Sequence, residues 1–478
     1  CVDVCMTSSL SMSNEYKWVE SDPDKFTFVP GVDKKHWDDV KHGYHRPDGH
    51  RLNAPERIEM PELEPGARIN SFVEIVGGYS VEQAVLEADR CVTCGICVAT
   101  CPTHMPIPEY IAAVRDGDYE LGLKLLYDSN PFSQICGKVC TRKCETTCAA
   151  SHEGDPIAIR WLKRHITEQV PDERYREIIG APSPATGKRV AIIGAGPGGL
   201  AAADMLRRAG LQVTVYDRYD RAGGLMTYGI PGFKLEKDVV VRRNTQLEEG
   251  GVEFVLNCNV GEDVSFDAIR GKHDFVIIAT GVYKSRDLNA PGVGADGIVR
   301  AIDYLTASNR KSFGDEVPEF DSGELNAEGK RVVVIGGGDT GSDCIGTSNR
   351  HGAKSVTQLE ILPRPPEREN KLLTWPNWPN KLRTSSSQEE GCERLWNVTT
   401  KEFLDDGEGN LRALKCALVR WDRDDQGRWQ MSEVEDSEFE LRADLVTLAM
   451  GFVHPVHEGM LKELDVDLDP RGNVKGDT

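Results

Sequence analysis

The chain has 478 residues, 39% of them hydrophobic and 28% charged, ordinary usage for a folded globular protein of about three domains. Its 57 basic and 77 acidic residues leave a formal charge of −20, which argues against nucleic-acid binding by phosphate neutralisation and against a polybasic membrane anchor. No apolar run approaches the roughly 18–20 residues of a membrane helix. The longest, 190–206, is broken by four glycines and a proline. Residues 1–12 have neither the basic start nor the apolar core of a secretory leader. The expectation is a cytoplasmic protein with neither nucleic acid nor membrane as partner.

Residues 1–66 are polar and carry prolines at 23, 30, 47, 55, 61 and 65, which predicts an irregular arm. His36, His42, His45 and His50 fall there at spacings that match no ligand motif, so they read as loop histidines. Cys1 and Cys5 form C-x3-C. They are either the tail of a further ferredoxin-like segment or two ordinary thiols, and with no Met at position 1 the chain reads as a fragment.

Residues 67–180 predict a helical domain, with helices over 81–89, 107–116, 119–129 and 157–169. Two cysteine groups sit among them. Cys91, Cys94, Cys97 and Cys101, followed by Pro102, have the C-x2-C-x2-C-x3-C-P spacing of bacterial ferredoxins. Cys136, Cys140, Cys144 and Cys148 follow at even intervals of four. In two-cluster ferredoxins the fourth cysteine of such a run binds the other cluster. The expected partition is therefore Cys91, Cys94 and Cys97 with one cysteine of the second group, and Cys101 with the other three. Eight thiolates match two 4Fe–4S clusters. A disulfide framework or two zinc sites are the competing readings of the same residues. Cys258, Cys344, Cys392 and Cys416 are isolated and read as packing residues.

After a linker over 182–187 the texture changes to short Val- and Ile-rich runs alternating with helical stretches. Runs at 189–193, 212–216, 252–256, 275–279, 331–335 and 355–359 predict buried parallel strands in βαβ units. The first strand ends in Gly194-Ala-Gly196-Pro-Gly-Gly199, and a helical stretch and a second strand then lead to Asp217. The arrangement repeats at Gly336-Gly-Gly338-Asp339-Thr340-Gly341, with Glu360 as the acid. The glycines permit a tight turn, close approach to a pyrophosphate and close helix–strand packing, while the acid is placed for ribose hydroxyls. Two such sites in one chain predict a flavoprotein reductase, with FAD at the first and a nicotinamide nucleotide at the second. Two further apolar strands, one ending in Ala-Thr280-Gly281 and one spanning 443–451, are expected to close the two domains. Glu360 favours NADH, whereas Arg364 and Arg368 favour NADPH.

These motifs together resemble the small-subunit family of bacterial glutamate synthase, from about residue 72 onward. The resemblance rests on the cysteine groups, both glycine motifs and Gly223-Gly224-Leu225-Met-Thr-Tyr-Gly-Ile-Pro-Gly-Phe-Lys-Leu235. It extends through Leu359-Glu-Ile-Leu-Pro-Arg-Pro-Pro366, Trp375-Pro-Asn-Trp-Pro379 and Arg383-Thr-Ser-Ser-Ser-Gln-Glu-Glu-Gly391 to the stretch 396–403. It implies a helical iron–sulfur domain followed by two doubly wound, Rossmann-like domains, the second inserted in the first. The expected FAD-binding domain covers 188–295 and 441–478, with its C-terminal part truncated. The expected NAD(P)H-binding domain covers 325–440. Gly224 and Leu225 join Gly194, Gly196, Gly199, Asp217, Thr280 and Gly281 on the flavin side. The implied activity is NAD(P)H oxidation through FAD and two 4Fe–4S clusters. The implied acceptor is a large subunit that makes glutamate from glutamine and 2-oxoglutarate. A related flavin–iron–sulfur oxidoreductase serving ferredoxin or another dehydrogenase is the alternative. The short gap from Cys94 to Cys97 and the arm bearing Cys1 and Cys5 depart from the family pattern and favour that alternative. No acid or base is assigned, because hydride transfer needs cofactor alignment.

Overall fold

The computed structural model describes residues 54–152, 154–180, 182–368, 370–374 and 380–476. Cys1, Cys5, the four arm histidines and the stretch 375–379 lie outside them. The chain divides into two compact units, one formed by Cys1–Pro61 and Gly77–Ala181, the other by Glu62–Val76 and Pro182–Thr478.

The first unit is helical. Ser80 caps Val81–Ala88 through a capping box with Gln83, and Asp118 caps Tyr119–Ser129 by accepting from the Leu121 amide. The helix Ile159–Gln169 buries eight of its residues, from Ile159 to Thr167, and the helices Ser133–Val139, Tyr119–Ser129 and Ile107–Asp116 pack on it. A helix buried on most sides serves as the hub of its unit. One polar knot ties down the chain entering it. Arg90 and Glu87 pair at 2.8 Å with both side chains fully buried. Arg90 also donates to the carbonyls of Ala54, Pro55 and Asp155, and Glu87 accepts from the amides of Ile58 and Ala158. The pair survives burial because its remaining donors and acceptors are satisfied.

The second unit holds two parallel sheets. In the first, β1 (Arg189–Ile193), β2 (Gln212–Tyr216), β3 (Val252–Val255) and β4 (Phe275–Ile278) lie in the order β3-β2-β1-β4. The strands β5 (Ile298–Arg300), β6 (Arg331–Ile335), β7 (Ser355–Glu360) and β8 (Glu393–Trp396) belong to the second sheet. An antiparallel group follows: β9 (Val398–Asp405), β10 (Leu411–Arg423), β11 (Trp429–Glu433) and β12 (Phe439–Arg442). The chain then re-enters the second sheet as β13 (Leu445–Leu448), giving the order β5-β13-β6-β7-β8.

The sheets correct two boundaries. The apolar strand near 445 does not close the flavin-side sheet, because Leu445–Leu448 pairs in register with Val332–Ile335 and with Ile298–Arg300. The second nucleotide fold therefore begins at β5 and ends at β13, wider than the expected 325–440. Only the segment after β13 returns to the first sheet, where Met460 and Leu461 pack with Ala191 and Ile193. Residues 67–76 fall within the second unit and not within the helical one.

Candidate functional site

The first cysteine group spans a short helix, Ile96–Thr100, and the loops around it. The second runs from Ser133–Val139 through Lys143–Thr146 to a single 3₁₀ turn. This folding brings four of the sulfurs, from both groups, to one place. Cys91, Cys94 and Cys97 line one cavity with Cys148, closed by the apolar side chains of Pro108, Ile111, Ile157 and Ile159. The cavity encloses about 360 Å³, part of it open to solvent. Burial, then the charges of Cys91, Cys94 and Cys148, push the Cys97 thiol up to about 12. Cys144 is pushed up by burial, then by Glu145 and Cys140, with Cys101 also contributing. Cys101 belongs with this second set. Burial raises its thiol, but hydrogen bonds from the Thr103 side chain and from the amides of Met105 and Thr103 outweigh that and hold it low. All eight are free cysteines. Tyr110, fully buried, lies within electrostatic reach of Cys97 in the first set and of Cys101, Cys140 and Cys144 in the second.

These sets fit polynuclear clusters. Thiols that oppose one another's ionisation become thiolates beside a bound cationic centre. Among the described residues no three His, Cys, Asp or Glu side chains close on a point suited to a single ion. The sulfurs of a 4Fe–4S cluster stand further apart, since each bonds a different iron.

At the first nucleotide site, Gly194 sits at φ +112°, and a Cβ there would strike the Ala279 carbonyl. Gly199 admits the Gly194 carbonyl in the same way, while a Cβ on Gly196 would meet nothing within 4 Å. The surface of Gly196 is thus open, at the start of the helix Pro197–Arg208, where free amides and the helix dipole favour phosphate. Gly224 packs on Gly196, with Leu225 next to it opening the turn Leu225–Tyr228. Asp217, past the end of β2, accepts from the amides of Ala195 at 2.5 Å and Tyr219 at 2.9 Å. Burial raises its carboxyl, and those two amides oppose the rise. Thr280 and Gly281 follow β4, beside β1. All eight flavin-side candidates therefore gather at the carboxyl ends of β1, β2 and β4.

The second site repeats the plan. Gly336, at φ +130°, clears the Ala449 carbonyl, Gly341 clears that of Gly336, and Gly338 faces open space before the helix Asp339–Arg350. Asp339 and Thr340 form the first turn of that helix. Glu360 ends β7, accepts from the Leu362 amide at 3.1 Å and lies against Gly337. Arg364 is exposed and stands 5.6 Å over the Trp396 ring. No local pattern in the sequence marks Arg394, which lies 4.8 Å over the same ring. β8 carries Arg394 and Trp396 alongside Gln358 and Glu360 of β7, a pairing between residues some 36 apart in sequence.

The comparisons with known proteins agree with this geometry. Residues 68–175 match the model of dihydropyrimidine dehydrogenase domain II, 4Fe-4S cluster, and residues 188–478 match that of pyridine nucleotide-disulphide oxidoreductase. The glutamate synthase [NADPH] small chain of Mycobacterium tuberculosis is 40% identical over 424 residues, 88% of this chain and 86% of that one. The small chain of Azospirillum brasilense is 42% identical over 401 residues, 82% of this chain and 80% of its own. The Escherichia coli oxidoreductase AegA is 37% identical over 432 residues, 89% of this chain and 63% of its own. The chain belongs to the glutamate synthase small-chain family, a flavin- and 4Fe–4S-dependent branch of the pyridine nucleotide–disulphide oxidoreductases.

Proposed function

We propose that the chain is the electron-entry subunit of a glutamate synthase. It oxidises NAD(P)H through FAD and delivers electrons, by way of two 4Fe–4S clusters, to a large subunit that makes glutamate from glutamine and 2-oxoglutarate. The observation that carries this reading is the cavity in which Cys148 joins Cys91, Cys94 and Cys97, in a chain that also has two strand–glycine–helix sites. When bound, the flavin exchanges hydride for electrons that the clusters take one at a time.

The protein's own task is positioning. Gly196 and Gly338 leave room for pyrophosphate at two helix starts. Asp217 and Glu360 stand at strand ends, where ribose hydroxyls would reach them. Arg364 and Arg394 place two cations beside Glu360, which supports a nucleotide carrying a 2′-phosphate, NADPH. The two cysteine sets supply four thiolates to each cluster.

No helix among the described residues is long and apolar enough to cross a membrane; the cytoplasm is the location this reading expects. The test is anaerobic reduction of the full chain by NADPH, with and without the large subunit. The expected result is bleaching of the flavin and, with the large subunit, glutamate formed from glutamine and 2-oxoglutarate. Bleaching without glutamate would leave the second reading, an oxidoreductase with another acceptor, which the likeness to AegA favours.

A further inference from the structure

The two glycine turns follow one plan, but the strand beside them differs. Gln358 on β7 stands in register with Val334, two residues before Gly336. At the matching position of the first sheet, Val215 stands opposite Ile192, two residues before Gly194. A buried polar side chain between two strands needs partners. Gln358, only 2% exposed, has them. Its Nε2 donates to the Gly336 carbonyl at 2.8 Å, and its Oε1 accepts from Gln388 Nε2 at 2.8 Å. A valine has no amide to offer the Gly194 carbonyl from the same place. Gln388 is itself held by the capping box of the short helix Ser386–Glu389, its Oε1 accepting from the Ser385 amide at 2.9 Å. Ser385 Oγ accepts from Ser342 Oγ at 2.7 Å, and Ser342 lies in the helix Asp339–Arg350 that follows the glycine turn. The Ser342 amide donates back to the Gly338 carbonyl at 3.0 Å. Hydrogen bonds thus close a ring around the turn, from Gly336 through Gln358, Gln388 and Ser385 to Ser342. Beyond the ring, Glu390 pairs with Arg350 at 2.6 Å with both side chains fully buried, and Asn349 donates to the Gly391 carbonyl at 3.1 Å. Residues 385–391 are therefore fastened along the same helix.

We propose that Gln388, through Gln358, sets the glycine turn of the second nucleotide site and with it the affinity for the nicotinamide nucleotide. The Gly336 carbonyl and the Gly337 amide share one trans peptide plane, so they point to opposite sides of the chain. The carbonyl is turned onto Gln358 and the Gly341 backbone. The Gly337 N–H is thereby turned away from both, the orientation in which the amides of such a turn serve a pyrophosphate. Removing the Gln358 amide takes a donor from a buried carbonyl and loosens the plane that carries the neighbouring N–H. Both glutamines act through the turn and are positioning residues, not catalytic ones. Their role rests on the nicotinamide reading of the second site.

The experiment is titration of the oxidised full-length holoprotein with NADP+ and, separately, NAD+, followed by the flavin absorbance, together with steady-state oxidation of NADPH and NADH by ferricyanide. Gln358→Met keeps the length of the side chain and removes both amide groups. It should raise the Kd about tenfold, with the loss falling on KM and not on kcat. The turn serves the pyrophosphate that both nucleotides share, so the factor should be the same for whichever of them the wild type binds. Gln388→Met should raise the Kd about threefold. The double variant should bind no more weakly than Gln358→Met, because the two residues act in series. Flavin content should stay the same in all three, since both glutamines brace the second turn. If Gln358→Met does not fold, Gln388→Met, whose side chain is only half-buried, carries the measurement. Unchanged affinity in the variants, a fall in kcat with KM unmoved, or additive losses in the double variant would overturn the proposal. A wild type that binds neither NADP+ nor NAD+ would instead overturn the nicotinamide reading beneath it.

Discussion

At the scale of single residues, the assignment that matters most is which cysteine crosses over. Cys148 lines the cavity of Cys91, Cys94 and Cys97, although three nearer neighbours in sequence belong to its own group. Cys148→Ser should therefore cost the same cluster as Cys91→Ser, and Cys144→Ser the same one as Cys101→Ser. Each variant should lose about half the iron, and the two pairs should leave different residual EPR signals. Matching signals from Cys148→Ser and Cys144→Ser would reject the partition. His351 supports a prediction of another kind. Its ring nitrogens lie 3.0 Å from Tyr304 Oη and 3.2 Å from Ser308 Oγ, and Phe72 and Phe320 pack against the ring. Burial lowers its pKa to about 4, against about 6.5 in an unfolded chain. Above about pH 6.5 the ring is neutral in both states and contributes no pH dependence. As the pH falls from about 6.5 toward about 4, only the unfolded chain takes up the proton, so stability is lost across that window. Between pH 7.5 and pH 5 the loss should be about 2 kcal/mol. His351→Gln should lower stability at pH 7.5 but flatten this dependence, measured as urea midpoints at the two pH values. An equally steep dependence in the variant would show that the proton goes elsewhere.

At the scale of elements, the glycine turns separate fold from binding. Gly194→Ala places a Cβ against the Ala279 carbonyl at a φ that side chains avoid. It should destabilise the second unit by at least about 1–3 kcal/mol. Gly196→Ala meets nothing within 4 Å and should fold normally. It should bind flavin about tenfold more weakly, about 1.4 kcal/mol, because the added methyl occupies the pyrophosphate's approach. Flavin titration and apoprotein melting distinguish the two; normal flavin affinity in Gly196→Ala would remove that residue from the site. The same contrast explains what could be read in advance. The strands at 189–193 and 331–335 are legible because parallel strands buried on both faces appear as unbroken apolar runs. The proposed cysteine partition rests on ferredoxin spacing. The antiparallel β9–β12 did not stand out, because β11 is exposed at every residue and β10 mixes both patterns. The segment 445–448 reads as a strand, yet it pairs in the second sheet and not in the first. Its four apolar-rich residues suit either sheet, and only long-range pairing decides. Arg394 has the same difficulty, since it matters through Glu360, distant in sequence.

At the scale of the whole molecule, the chain does not give its units to successive stretches of sequence. Glu62–Val76 belongs with the nucleotide-binding unit although the helical unit is built from chain on either side of it. Its contacts within the second unit are specific. Arg68 pairs with Glu62 at 3.1 Å and with Glu389 at 3.2 Å, and Arg350 donates to the Ser71 carbonyl at 2.9 Å. Phe72 packs 6.2 Å from the Phe233 ring, and the Ile75 amide donates to the Phe233 carbonyl at 3.2 Å. Phe233 lies in the stretch that resembles the family's flavin side, so the segment braces the unit meant to hold the cofactor. Two cofactor types make the units separately visible, since flavin release reports on one and loss of cluster absorbance on the other. Phe72→Ala in the full-length holoprotein should cost the second unit about 2 kcal/mol, lowering the temperature of flavin release by roughly 4–8 °C. The temperature at which the clusters bleach should stay where it is. Earlier cluster bleaching with unchanged flavin release would assign residues 67–76 to the helical domain instead.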